Sequence, residues 1–210
     1  MIFTTIYLQE IIVTYLLLKK AYRAILITST VLLMACSTSP TSVQLQPELS
    51  FKKTEPLMGS LIWGVHSQDQ RIAHYLIAIE NGDNENAARL VNESRNSRVI
   101  IEKVLQEQWI KQGLAIQADS ANIIDIQLIK LLAEVEQNSL TYKIDSNIII
   151  KVKLHADNKI FNKTFNSRFG EEGVFTADVE KVTKQLNDQL SQLLTEILHD
   201  SELNAKLQKI

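Results

Sequence analysis

The chain has 210 residues, of which 45% are hydrophobic and 22% charged, with a formal net charge of −2. That is ordinary globular composition and one domain's worth of chain plus terminal segments, without the basic excess a nucleic-acid partner would require. A single cysteine, Cys36, excludes an intramolecular disulfide and a cysteine zinc cluster within one chain.

Residues 24–35 (AILITSTVLLMA) form an uncharged apolar run preceded by Lys19, Lys20 and Arg23. A positive flank, a short apolar core and a small residue at the end describe a secretory signal. The run is shorter than the roughly 20 residues needed to span a bilayer. It closes on Leu33-Met34-Ala35-Cys36, which resembles the lipobox of bacterial lipoproteins; Met34 is less usual there than alanine or serine. The resemblance implies cleavage before Cys36 and a covalent lipid, including a palmitate-type acyl chain, on its thiol. No other cofactor is expected. Residues 2–17 are also apolar but carry Gln9 and Glu10, which suit a bilayer poorly, so these first ~17 residues read as a mis-set start. Removing residues 1–35 takes away three basic residues and one acidic one. That leaves 19 basic and 23 acidic residues, net −4, with no polybasic patch for anionic lipid. Ser37 follows the cysteine; by the sorting rule of enteric lipoproteins, serine there predicts the outer membrane, periplasmic face.

Residues 36–57 read as the lipidated cysteine and a polar tether with Pro40, Pro47 and Pro56. The tether reaches about 70 Å when extended. Val43, Leu45, Leu49 and Phe51 alternate with polar residues, so part of it can add to a sheet, with Pro47 restricting it to an edge. Residues 58–210 are then a single periplasmic domain. Its first strand is predicted at 58–66. Residues 68–96 are polar and include the turn signal Asn81-Gly82-Asp83-Asn84, with a short element within 72–79. Ser94 is placed to cap a helix over 95–112, with Ile101, Val104, Leu105 and Trp109 on one face and Gly113 as the stop. Residues 123–136 alternate as a strand, but the apolar phase slips near Ile129-Lys130, which predicts a β-bulge.

Residues 142–154 alternate without a slip. Tyr142, Ile144, Ile148, Ile150, Val152 and Leu154 face in; Lys143, Asp145, Asn147, Lys151 and Lys153 face out. Asp157-Asn158 supplies a hairpin turn, and Phe161, Phe165 and Phe169 share a face of the next strand. A helix over about 177–199 carries one apolar stripe from Val179 to Leu198. The fold class is therefore α+β: two layers in the order β-α-β-β-β-α, a mostly antiparallel sheet with two helices on one face.

These elements behind a lipobox resemble the YajG family of bacterial lipoproteins. The stretches that carry the resemblance are Asp69-Gln70-Arg71, 94–113 (SRNSRVIIEKVLQEQWIKQG), 131–142 (LLAEVEQNSLTY) and 170–177 (GEEGVFTA). The family implies an envelope lipoprotein and supplies no catalytic residues.

The search for chemistry yields one polar cluster, Asp69-Gln70-Arg71, just after the first strand. There an arginine can bind a carboxylate or phosphate in bidentate fashion, or order the loop as a local salt bridge. His66 and His74 could in principle share a metal with Asp69, but loop or hairpin histidines are the plainer reading and no metal is expected. Glu134, Glu136, Glu171 and Glu172 invite a two-carboxylate hydrolase reading, against the plainer one of solvated charge at strand edges and turns. The expected function is a non-catalytic binding or accessory role in the envelope. The chain would be held to the bilayer through acylated Cys36 and would meet a protein partner through 68–96 or an exposed sheet edge. The alternative is a lipoprotein that binds a peptidoglycan fragment or small solute through Arg71 and its neighbours.

Overall fold

The computed structural model describes residues 41–49, 56–57, 59–82 and 87–209. Contacts divide the chain after Ser39, and all described residues belong to the second unit, Pro40–Ile210. Cys36, the signal segment and most of the tether lie outside the described residues.

Three strands of 16 residues each form the frame: β6 (Asn122–Gln137), β7 (Thr141–Ala156) and β8 (Lys159–Val174). They pair antiparallel in chain order. The β7–β8 turn is Asp157-Asn158, with φ of 48° and 64°. Two successive positive φ values give the turn that matches strand twist, and after glycine Asn and Asp tolerate them best. The predicted bulge is present, since the β6–β7 register shifts between Leu128 and Lys130.

The other edge of β6 is shared end to end by β2 (Ile62–Asp69), which pairs with residues 122–128, and β3 (Tyr75–Asn81), which pairs with 133–137. Both run parallel to β6. The bulge sits where the edge passes from one strand to the other, and Gln70 N–H donates to the Leu128 carbonyl there at 2.9 Å. β4 (Arg89–Glu93) pairs antiparallel with β3, and the two-residue edge strands β1 (Ser42–Val43) and β5 (Ala115–Ile116) add in parallel.

The sheet is thus mixed, with four parallel and three antiparallel strand pairings among the described residues, and the order is β-β-β-β-α-β-β-β-β-α-α. The strands not expected are β4 and the two-residue β5, and the short element expected within 72–79 is the strand β3. The run Tyr75-Leu76-Ile77-Ala78-Ile79 carries no period-2 signal because it is buried over both faces, with Leu76, Ile77 and Ile79 at 2% exposure or less. Within residues 68–96, the end of β2 and all of β3 and β4 are built into the sheet. The edge strand expected near Val43 is β1, and Leu45 beyond it is buried.

Helix α1 (Ser97–Lys111) begins at Asn96, whose side chain accepts from Arg98 N–H at 3.0 Å. Asn96 is the cap instead of Ser94. Ile101, Leu105 and Trp109 are its buried face, and Gly113 stops it with φ of 96°. Helix α2 (Val179–His199) is capped by Asp178, and a further helix, α3 (Ser201–Lys209), follows it. The break falls at Asp200, whose side chain accepts from Leu203 N–H and so ends one helix and starts the next.

Every described helix packs on the same sheet face. Ser67 of β2 bonds Arg98 of α1 at 2.5 Å, Ser146 of β7 bonds Gln189 of α2 at 2.7 Å, and Trp63 of β2 donates to the Leu207 carbonyl of α3 at 3.3 Å. The core lies between, built from Ile144, Ile148, Ile150, Val152 and Leu154 of β7 against Val182, Leu186, Leu190, Leu194 and Ile197 of α2. On the opposite face, no helix of the described residues lies across the frame.

Candidate functional site

Asp69, the last residue of β2, points to the helix side of the sheet. The chain then jogs past the bulge in β6, and this jog buries Arg71 with its side chain 1% exposed. A buried guanidinium must be paired. Nε and Nη2 form a fork on Asp69 at 2.9 and 2.7 Å, and Nη2 also reaches Glu93, the last residue of β4, at 3.0 Å. Glu93 in turn accepts from the N–H and hydroxyl of Ser97 at 2.9 and 2.7 Å, so its charge sits at the start of α1, where the helix dipole favours it.

The hydrogen bond from Arg71 holds the Asp69 carboxyl below the usual range, against the opposing effect of burial. Burial works most strongly against the Arg71 charge, yet the bonds to Asp69 and Glu93 outweigh it and raise its pKa. Gln70, the middle residue, is exposed and bonds Gln68 at 3.1 Å. The sequence cluster is thus one ion-paired junction of β2, β4 and α1. The face of Arg71 that could grip a ligand is occupied by Asp69 and Glu93.

His74 Nδ1 lies 3.4 Å from Asp69. His66 pairs with Asp125 in the ladder, three residues before Asp69, which places it on the opposite sheet face. The three do not converge. The carboxylates also separate. Glu171 turns to the helix side, where it bonds Lys181, Gln185 and Tyr142. The Lys181 bond is the main reason its pKa is lowered. Glu172 is on the other face.

The face turned away from the described helices carries an arrangement the sequence reading missed. Glu80, Glu136, Lys143 and Glu172 stand side by side across β3, β6, β7 and β8. They line an open cavity of about 820 Å³ at the end of the sheet, together with Asn81, Gln137 and Asn138. Glu134 and Asp145 pair in the next row but one. Lys143 is the lone cation of the row; its bond to Asp145 at 2.6 Å, helped by Glu136 and Glu172, raises its pKa. Three of these positions could be aligned from sequence, because the two hairpins fix Glu136 opposite Lys143 and Lys143 opposite Glu172. Glu80 could not, because it arrives through a parallel pairing.

A family model described as "Uncharacterized lipoprotein" matches residues 47–208. The chain belongs to this lipoprotein family. It is 21% identical over 174 residues to the uncharacterized lipoprotein YajG of Escherichia coli K12, covering 82% of this chain and 89% of that one. The YajG of a second E. coli strain, O6:H1, matches equally. A crystal structure of a protein from Xanthomonas campestris shares the fold with a TM-score of 0.56 at 13% identity, covering 79% of this chain and 96% of that one. The resemblance read from the motifs is thereby shown. Among the described residues, no helix is long and apolar enough to cross a membrane.

Proposed function

We propose that the chain is a lipoprotein anchored through Cys36 at the periplasmic face of the outer membrane, with a non-catalytic binding or accessory role in the cell envelope. The observation that carries this reading is the exposed acidic row on the sheet face turned away from the described helices. Glu80, Glu136 and Glu172 stand in one row with Lys143 at the mouth of an 820 Å³ cavity. A row with three carboxylates and one ammonium suits a partner that presents amines or guanidinium groups together with one carboxylate.

The test is in-cell crosslinking of C-terminally tagged chain, with partners identified by mass spectrometry. A partner lost in Glu136→Lys/Glu172→Lys and in Cys36→Ala supports an anchored accessory subunit. A partner retained in the charge-reversed variant sinks the assignment to this face.

The same cavity favours a second reading, capture of a peptidoglycan fragment, which carries both amino and carboxylate groups. A rise in Tm with purified muropeptides that Lys143→Ala abolishes supports it; no rise removes it.

A further inference from the structure

The frame leaves one long edge open. β8 runs 16 residues in unbroken register with β7, and among the described residues no strand pairs with its other side. Strand edges of that length normally carry a proline, a bulge or inward charge that prevents pairing. β8 has neither proline nor bulge; its inward charges, Lys163 and Glu171, are held within the protomer by Asp200, Glu202 and Lys181. It exposes Ile160 at 67%, Val174 at 65% and Phe169 at 41%.

We infer that this edge pairs with the β8 edge of a second copy, antiparallel, about a twofold axis at Ser167. The inference stands apart from whatever binds the acidic face. Its basis is self-complementarity. Same-face pairing requires partner numbers of matching parity. With Ser167 opposite Ser167, Ile160 faces Val174, Phe165 faces Phe169, and Lys163 faces Glu171. All three exposed apolar residues then gain an apolar neighbour, and opposite charges meet. A shift of one pleat in one direction puts Arg168 opposite Arg168 and Phe165 opposite Glu171. A shift in the other puts Ile160 opposite Glu172 and Phe161 opposite Glu171. Like charges or a carboxylate against an apolar side chain disfavour both. Within the protomer, Lys163 already bonds Asp200 and Glu202 at 2.8 and 2.9 Å, and Glu171 bonds Lys181. The cross-copy pair therefore adds a neighbour of the right sign to charges already held in place.

The experiment uses the full-length chain in its own membrane. Ser167→Cys places two thiols opposite each other at a separation a disulfide spans. The expected result is a disulfide-linked band at twice the monomer mass on a non-reducing gel. Asn162→Cys, which faces Glu172 instead of itself, gives none. Co-expression of one tagged copy carrying Asn166→Cys with another carrying Arg168→Cys crosslinks across the open face, so the test survives if Ser167→Cys fails to fold. In detergent, Phe169→Lys shifts the full chain from dimer to monomer mass. Monomer alone from both cysteine designs overturns the inference. So does an Asn162→Cys band as strong as that of Ser167→Cys, or a Ser167→Cys crosslink to a different protein.

Discussion

Arg71 and Glu93, 22 residues apart, are joined by a 3.0 Å ion pair that ties the end of β2 to the end of β4 and, through Ser97, to the first turn of α1. Arg71→Met leaves Asp69 and Glu93 as partly buried carboxylates without their cation. The expected cost is about 3 kcal/mol, read as a lower denaturant midpoint with unchanged slope. An Arg71→Met variant as stable as the wild type would show that the junction contributes nothing.

The pH dependence of stability follows from Asp69 at the same junction and from Glu171. Asp69 and Glu171 are both held below their ordinary range by Arg71 and Lys181. A carboxyl with a lowered folded pKa contributes stability that is complete above its unfolded value and is lost as pH falls through the folded one. Thermal unfolding followed from neutral pH down through the carboxylate range therefore shows a falling Tm. In Asp69→Asn the starting Tm is lower and the acid slope shallower. An unchanged slope would place the acid sensitivity elsewhere.

Gly113 holds φ of 96°, and a Cβ there would meet the Leu57 carbonyl at 3.4 Å. Gly113→Ala forces an L side chain into the left-handed region. It is expected to cost about 1 kcal/mol, measured by urea unfolding.

Tyr142 lies directly over its cross-strand partner Gly173, filling the space a side chain would occupy. Gly173→Val evicts the half-paired ring from a site where it is 8% exposed, and also disturbs its bonds with Lys181 and Glu171. Overpacking of this kind costs about 1–3 kcal/mol. The loss is readable as a lower Tm and a changed tyrosine signal in the near-UV.

At the exposed acidic row the expectation is the reverse. Glu136 and Glu172 are exposed, so Glu136→Lys/Glu172→Lys changes stability by no more than about 0.5 kcal/mol per site while removing partner binding. Circular dichroism and the crosslinking experiment together separate the two effects. A folded variant that still binds would end the assignment of this face.

Much of the fold was legible where neighbours in sequence are neighbours in space. The alternation from Tyr142 to Leu154, the Asp157-Asn158 turn, the phase slip at Ile129 and the stripe from Val179 to Leu198 are each local patterns. All four reappear in the structure. The long strands and helices follow from them because hairpin turns fix register at once.

The candidate site was legible only in part. Asp69 and Arg71 are two residues apart, and their pairing is a local event. Glu93 is not local, and nothing in its surroundings announces that it will meet Arg71. The acidic row divides the same way, with Glu136, Lys143 and Glu172 set by hairpins and Glu80 brought in from outside.

By itself, then, the sequence determined the amphipathic faces, the turns and the three-strand frame, because a period of 2 or 3.6 and a turn residue act within a few positions. The tertiary structure decided that β2 and β3 lie end to end and parallel along β6, and that Arg71 is buried against Glu93. It also decided that Glu80 completes a row on the open face. Parallel pairing has no tight turn to set its register. It forms only when Ile77–Ile79 meets Ala133–Val135 and Val65–Asp69 meets Ile124–Leu128, so its information is spread over segments more than fifty residues apart.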